Sequence, residues 1–156
     1  MTTEDNYFMQ KAIIQALDAS SRGDVPVGAL IVKGGNILSY GSDTKSDDPT
    51  GHAEITAIRS CSKKLGHWNL SGCTMYVTLE PCPMCAGACV NARISRVVYG
   101  AKNPKAGAGG TLYNILHDTR LNHVCNVTSG VMEMECVKVL QEYFLRRRKQ
   151  SCSRLA

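Results

Sequence analysis

Two short segments carry residues that can do chemistry together: His52-Ala53-Glu54 and Pro81-Cys82-Pro83-Met84-Cys85. One imidazole and two thiols make three ligands of the kind that hold a zinc ion. Cysteines three positions apart in the first turn of a helix present both sulfurs to one point, and a nearby helix start can bring an imidazole to it. The positive end of a helix dipole also favours the thiolate form. Three protein ligands leave a fourth position for water, whose pKa on a catalytic zinc falls to about 7. Glu54 stands two residues from His52, near enough to reach that water without being needed as a ligand. It suits a proton shuttle.

Taken singly, each segment is weak. A lone histidine is more often a satisfied core or surface residue, and a lone C-x-x-C is shared with redox proteins and structural zinc sites. Together, H-x-E followed downstream by P-C-x-x-C is the pattern of zinc-dependent nucleobase deaminases, in which the glutamate passes a proton from water to a ring nitrogen and then to the leaving amine. Cys89 shares a helix face with Cys85, but three ligands and a water complete a tetrahedron, so a buried thiol is expected there. His67, His117 and His123 lie far from the motif in sequence and read as packing or surface residues.

The rest of the composition limits the classes available. A chain of 156 residues, 44% hydrophobic, can bury one core and is expected to form a single domain over 1–156. It has no apolar run of about 18 residues, and its start is polar and acidic, so a soluble, unexported, cytoplasmic protein with no membrane role is expected. Eight cysteines without a leader read as thiols or ligands rather than a disulfide scaffold. Buried free thiol is the reading for most of Cys61, Cys73, Cys89, Cys125, Cys136 and Cys152. The formal charge is +5, and residues 141–156 hold Arg146, Arg147, Arg148, Lys149 and Arg154 against Glu142 alone, a local balance of +4. Such an end is a solvated helix terminus or a polyanion contact.

The elements that must position the motifs follow from periodicity and breakers. Met9, Ala12, Ile13, Ala16 and Leu17 recur at helical spacing before a Gly23/Pro26 break. Residues 25–32 and 37–40 are β-prone runs joined by Lys33-Gly34-Gly35-Asn36, which predicts an antiparallel hairpin. A polar loop over 40–51 delivers the chain to a helix from His52 to about Leu65. Met75, Val77 and Leu79 predict a strand, and Pro83 suits the first turn of the next helix. Residues 96–99 and 125–129 read as further strands, 102–110 as a mobile glycine-rich surface loop, and 112–116 as a helix or helical turn. Met132, Cys136, Val139, Leu140 and Tyr143 mark a last amphipathic helix running into the arginines. Strands alternating with helices predict an α/β domain with helices on both faces of a central sheet.

The chain resembles the bacterial tRNA-specific adenosine deaminases, within the cytidine and deoxycytidylate deaminase superfamily. The residues that carry the resemblance are Val25-Pro-Val-Gly-Ala29, His52-Ala-Glu-Ile55, Thr78-Leu-Glu-Pro-Cys-Pro-Met-Cys-Ala-Gly-Ala88, Ala92-Arg-Ile94, Val97-Val-Tyr-Gly-Ala101, Leu121-Asn-His123 and Tyr143-Phe-Leu-Arg-Arg147. The resemblance implies a three-layer α/β/α cytidine-deaminase-like fold with a mixed five-stranded sheet. It implies one zinc per subunit on His52, Cys82 and Cys85, with Glu54 catalytic, and hydrolysis of adenosine to inosine at the first anticodon position of a tRNA. The target base would be flipped into the zinc pocket. By the same resemblance Val27, Gly28, Ala29 and Ala53 belong to the substrate pocket, and Asn103, Leu121, Asn122 and His123 lie near the anticodon nucleotides. Phe144, Arg146 and Arg147 contact the RNA backbone, and the enzyme is a homodimer. One departure concerns the base: family members carry Asn after the second strand, whereas this chain has Ser42-Asp43. An ionised Asp43 only accepts hydrogen bonds, whereas Asn also donates.

Three other readings use parts of the same sequence. A free-base or nucleoside deaminase acting on guanine or cytosine compounds shares the zinc chemistry and has no use for the basic end. A thioredoxin-like dithiol leaves His52 and Glu54 without a task. A noncatalytic zinc module that binds RNA has no need of Glu54.

Overall fold

A computed structural model of the chain describes residues 2–154; Met1 and positions 155 and 156 of the basic end lie outside the described residues. Helix α1 (Thr3–Ser21) opens on a reciprocal cap: Thr2 Oγ1 accepts the Asp5 N–H at 3.0 Å, and the Thr2 N–H donates to Asp5 Oδ2 at 3.2 Å. Strands β1 (Gly28–Lys33) and β2 (Asn36–Ser42) follow as the expected hairpin, turning on Gly34 and Gly35 at φ 56° and 76°. β1 begins three residues later than its β-prone run. Pro26 has no N–H to donate, and the Val27 N–H is taken by Val25 O at 2.8 Å.

The remaining order is α2 (Ala53–Leu65), β3 (Thr74–Leu79), α3 (Pro83–Asn91), β4 (Arg96–Ala101), β5 (Asn126–Ser129) and α4 (Glu133–Arg154). The sheet runs β2-β1-β3-β4-β5, with β1 antiparallel to both neighbours and β3, β4 and β5 parallel. This is the mixed five-stranded sheet expected. Alternation along each strand divides the core in two. Ala29, Ile31, Met75, Val77 and Val97 face α2 and α3, while Leu30, Val32, Tyr76 and Val98 face α1 and α4. Helices therefore cover both faces, giving three layers.

One expectation fails in one region. Residues 112–116 are irregular, with an isolated bridge between Gly109 and Asn114 and neither a helix nor a helical turn. Their N–H groups go back to the preceding segment: Leu112 and Tyr113 donate to Gly107 O, and Ile115 to Ala108 O, each at 3.0 Å. Residues 102–110 form the surface loop expected, but one whose middle, Gly107 and Ala108, is buried and which Glu80 ties down.

Candidate active site

The strand directions change between β1 and β3, and the site forms where they do. The C-terminal ends of β2, β3 and β4 and the start of β1 meet there, because Gly28 pairs with Ser42 and Leu79 with Ala101. Crevices of this kind beside the carboxyl ends of strands are the usual binding place in open α/β sheets. β3 leads directly into Glu80, Pro81 and Cys82, and β2 into Asp43.

His52 is the N-cap of α2 and Cys82 the N-cap of α3, both with extended backbone and neither capping its helix with its side chain. The side chains turn to each other instead. His52 Nδ1 lies 3.6 Å from Cys82 Sγ and 3.5 Å from Cys85 Sγ, and the three ligand atoms lie within 4.8 Å of one another. A tetrahedral zinc with bonds of about 2.3 Å to sulfur and about 2.0 Å to nitrogen sets N and S about 3.5 Å apart. The cluster therefore fits a metal of this type. Cys89 is not part of it; its thiol donates to Met75 Sδ at 3.6 Å in the core. Cys61, Cys73, Cys125 and Cys136 are likewise buried free thiols, whereas Cys152 is exposed.

The three ligand groups share protons, so that Cys82 is the thiolate while its hydrogen bond and burial push the Cys85 thiol up. The Cys85 thiol, then the His52 ring, hold Cys82 down at about 4 against the cost of its burial. The bond from Cys82 in turn raises His52. Glu54, in the first turn of α2, is 4% exposed, and burial, reinforced by Cys82, pushes its carboxyl up to about 7.

A cavity of about 150 Å³ opens beside this cluster. His52, Glu54 and Cys82 line it with Val27, Asp43 and Asn103 from the expected substrate residues. Val25, Lys45, Leu79 and Glu80 also line it; Val25, Leu79 and Glu80 stand inside the segments that carry the resemblance, but none of the four was expected as a site residue. Asp43 is 4% exposed, its Oδ1 is buried without a hydrogen-bond partner, and burial pushes its carboxyl up to about 6 against the attraction of His52 and Lys45.

The other expected residues stand elsewhere. Gly28 faces α1, where a Cβ would run into the backbone of Ala12 and Ala16, and Ala29 and Ala53 are fully buried in the core on the α2 side. Asn122 accepts from Arg93 Nη1 at 3.2 Å, and His123 Nε2 donates to Ile94 O at 2.7 Å, with Leu121 exposed beside them. None of these six lines the cavity. Phe144 and Arg147 border a second hollow of about 910 Å³ between α4 and residues 101–105, together with Lys102, Lys105 and Arg148. Arg146 reaches Ser20 Oγ at 3.3 Å.

Glu80 is the residue with the densest bonding in the site. Its Oε1 accepts the N–H groups of Gly109 and Thr111, each at 3.0 Å, and its Oε2 accepts the Asn103 N–H at 2.9 Å and the Thr111 hydroxyl at 2.5 Å. Burial alone would raise its pKa, but these bonds outweigh it and lower the value. The sequence signal was present: an acidic residue at the end of an apolar strand, directly before Pro81-Cys82.

Residues 3–148 match the model of the MafB19-like deaminase family. The tRNA-specific adenosine deaminase of Bacillus subtilis (strain 168) is 45% identical over 150 residues, covering 95% of this chain and 93% of that protein. A solved structure from a study of A-to-I editing by tRNA:A34 deaminases at the wobble position superposes with a TM-score of 0.83 at 39% identity, covering 86% of this chain and 99% of that one. The structure of a guanine deaminase from Bacillus subtilis superposes with a TM-score of 0.62 at 42% identity, covering 71% of each chain.

Proposed function

Since the chain belongs to the MafB19-like deaminase family and, within it, to the tRNA-specific adenosine deaminases, we propose that it converts adenosine to inosine at the first anticodon position of a tRNA by zinc-dependent hydrolysis. The observation that carries this reading is the meeting of His52 Nδ1 with both cysteine sulfurs at tetrahedral spacing, with the buried Glu54 on the wall of the same cavity.

His52, Cys82 and Cys85 would hold one zinc ion per subunit. When bound, the zinc supplies a Lewis acid that lowers the pKa of water enough for attack at neutral pH. Glu54 takes one proton of the attacking water and gives it to the ring nitrogen beside the attacked carbon, then carries the remaining proton of the added hydroxyl to the amine, which leaves as the carbonyl forms. Water is consumed and ammonia leaves. A carboxyl held near neutrality by burial can serve in both directions.

Val27, Asp43 and Asn103 contact the flipped base or its sugar. The unpartnered Oδ1 of Asp43 accepts from a substrate N–H or O–H, such as the exocyclic amine or a ribose hydroxyl. Gly28, Ala29 and Ala53 act from behind, packing the elements that form the wall. Leu121, Asn122 and His123 meet the flanking anticodon nucleotides, and the hollow bordered by Phe144 and Arg147, with Arg146 beyond it, receives the RNA backbone. The working form is a homodimer. Among the described residues no helix is long and apolar enough to cross a membrane, and the proposed tRNA substrate supports a cytoplasmic location.

A free-base deaminase acting on guanine is the second reading, favoured by the likeness to the Bacillus subtilis guanine deaminase and by the acceptor-only Asp43. The fuller coverage of the tRNA-enzyme relatives and the cationic groove along α4 weigh against it. Detection of inosine in a synthetic anticodon stem-loop after incubation with the zinc-loaded protein tests the first reading; an unaltered adenosine would reject it.

A further inference from the structure

We propose that Glu80 is a positioning residue that fixes the segment 102–111 so that Asn103 faces the catalytic cavity while Lys102 and Lys105 face the cationic groove of α4. The inference rests on reading cavity and groove as two parts of one RNA site.

The carboxylate of Glu80 is saturated. Each oxygen accepts two bonds, and all four donors belong to this one segment. The side chain is 1% exposed, so water cannot stand in for a missing acceptor. The segment is shaped to this anchor, because a Cβ at Gly107 would collide with Glu80 Oε2 and with Asn103 O. Further bonds close it on itself and on the motif: Gly107 N–H to Asn103 O and Ala108 N–H to Pro81 O, both at 2.8 Å.

Successive residues of the anchored segment look in different directions. Asn103 lines the cavity that holds His52 and Glu54, whereas Lys102, Pro104 and Lys105 line the groove with Arg147 and Arg148. A base in the cavity and a phosphate in the groove are thus registered against each other by the segment that Glu80 holds. Glu80 lies two residues before the ligand Cys82, so one strand end sets both the metal cluster and the register.

Glu80→Gln conserves shape but replaces one acceptor oxygen with an amide NH2 that meets two donors. In hydrogen-exchange measurements on the zinc-loaded protein, the amides of Asn103, Gly109 and Thr111 should exchange about tenfold faster or more, with zinc content unchanged. With the adenosine stem-loop, KM should rise about tenfold while kcat changes little, and this KM effect should shrink when Asn103 is already alanine. A merely structural loss would add in full to Asn103→Ala. If Glu80→Gln fails to fold, Thr111→Val removes only the hydroxyl bond and should give the same pattern in smaller measure. Unchanged exchange, unchanged KM, or full additivity overturns the proposal. A wild-type protein inert on the stem-loop overturns the tRNA reading and this proposal with it, whereas an active wild type with an indifferent variant overturns this proposal alone.

Discussion

Cys85 Sγ lies 3.5 Å from His52 Nδ1 although the residues stand 33 positions apart, on the first turns of two different helices. Two helix starts converge there because α2 and α3 pack on one face of the sheet, α2 after β2 and the loop that follows it, α3 directly after β3, with β1 between the two strands. The spacing fits one metal ion shared by both helices.

Purified protein should contain one zinc per chain by elemental analysis. Cys82→Ser and His52→Ala should each lose the metal and at least about 10³-fold in activity, since zinc supplies the acidified water. Chelation should lower Tm as well, because the ligand atoms then meet without a bridging ion.

Glu54→Gln should retain zinc and a wild-type melting curve while kcat falls by about 10² to 10⁴-fold, the range for loss of a general acid–base group. A variant that keeps its activity would remove Glu54 from the mechanism.

Asp43→Asn should separate stability from function. An unpaired buried carboxylate oxygen costs about 1–3 kcal/mol, and a neutral amide is cheaper to bury, so Tm should rise by a few degrees. The kcat/KM for the stem-loop should fall about tenfold, because the acceptor that meets the substrate donor is weakened. A fall in Tm with unchanged kcat/KM would show that Asp43 serves the fold.

Acid stability should report on Asp5. Burial would raise its pKa, but Arg96 at 2.9 Å, the Thr2 N–H and the Tyr76 hydroxyl outweigh that cost and hold the carboxyl well below the ordinary range. A lowered folded value gives stability that is fully present above the unfolded carboxyl value of about 3.9 and is lost as pH falls below it. Urea melts should therefore show Asp5→Asn less stable than wild type by about 3 kcal/mol at pH 7, with the gap narrowing below about pH 4.

Neutralising the groove should change salt dependence rather than chemistry. Arg147→Ala with Arg148→Ala should weaken stem-loop binding and flatten the slope of log K against log salt by about 0.7 for each phosphate that is no longer neutralised. An unchanged slope would place the RNA elsewhere.

The metal cluster was legible because ligation restricts residue type and spacing: a histidine, a C-x-x-C and a glutamate two positions from the histidine leave few other uses. The hairpin was legible from Gly34-Gly35, which take its positive φ angles without a Cβ penalty. What sequence could not supply was the partner of each group across the fold. Gly28 reads as a pocket residue by motif, yet its missing side chain is explained by the close approach of α1 at Ala12 and Ala16. The glycines of 102–110 read as mobility because their anchor, Glu80, lies far away in sequence, just past the end of β3, and its bonds are all to backbone N–H groups or to Thr111. For the same reason 112–116 read as a helix or helical turn, whereas the N–H groups of Leu112, Tyr113 and Ile115 return to Gly107 and Ala108.

The most direct test is a competition of substrates on one zinc-loaded preparation. An anticodon stem-loop with adenosine at its first position is incubated beside free guanine, cytidine and adenosine, with ammonia release and inosine measured together. Conversion of the stem-loop adenosine to inosine, with the free compounds left intact, is the predicted result. Turnover of free guanine with an untouched stem-loop would contradict it.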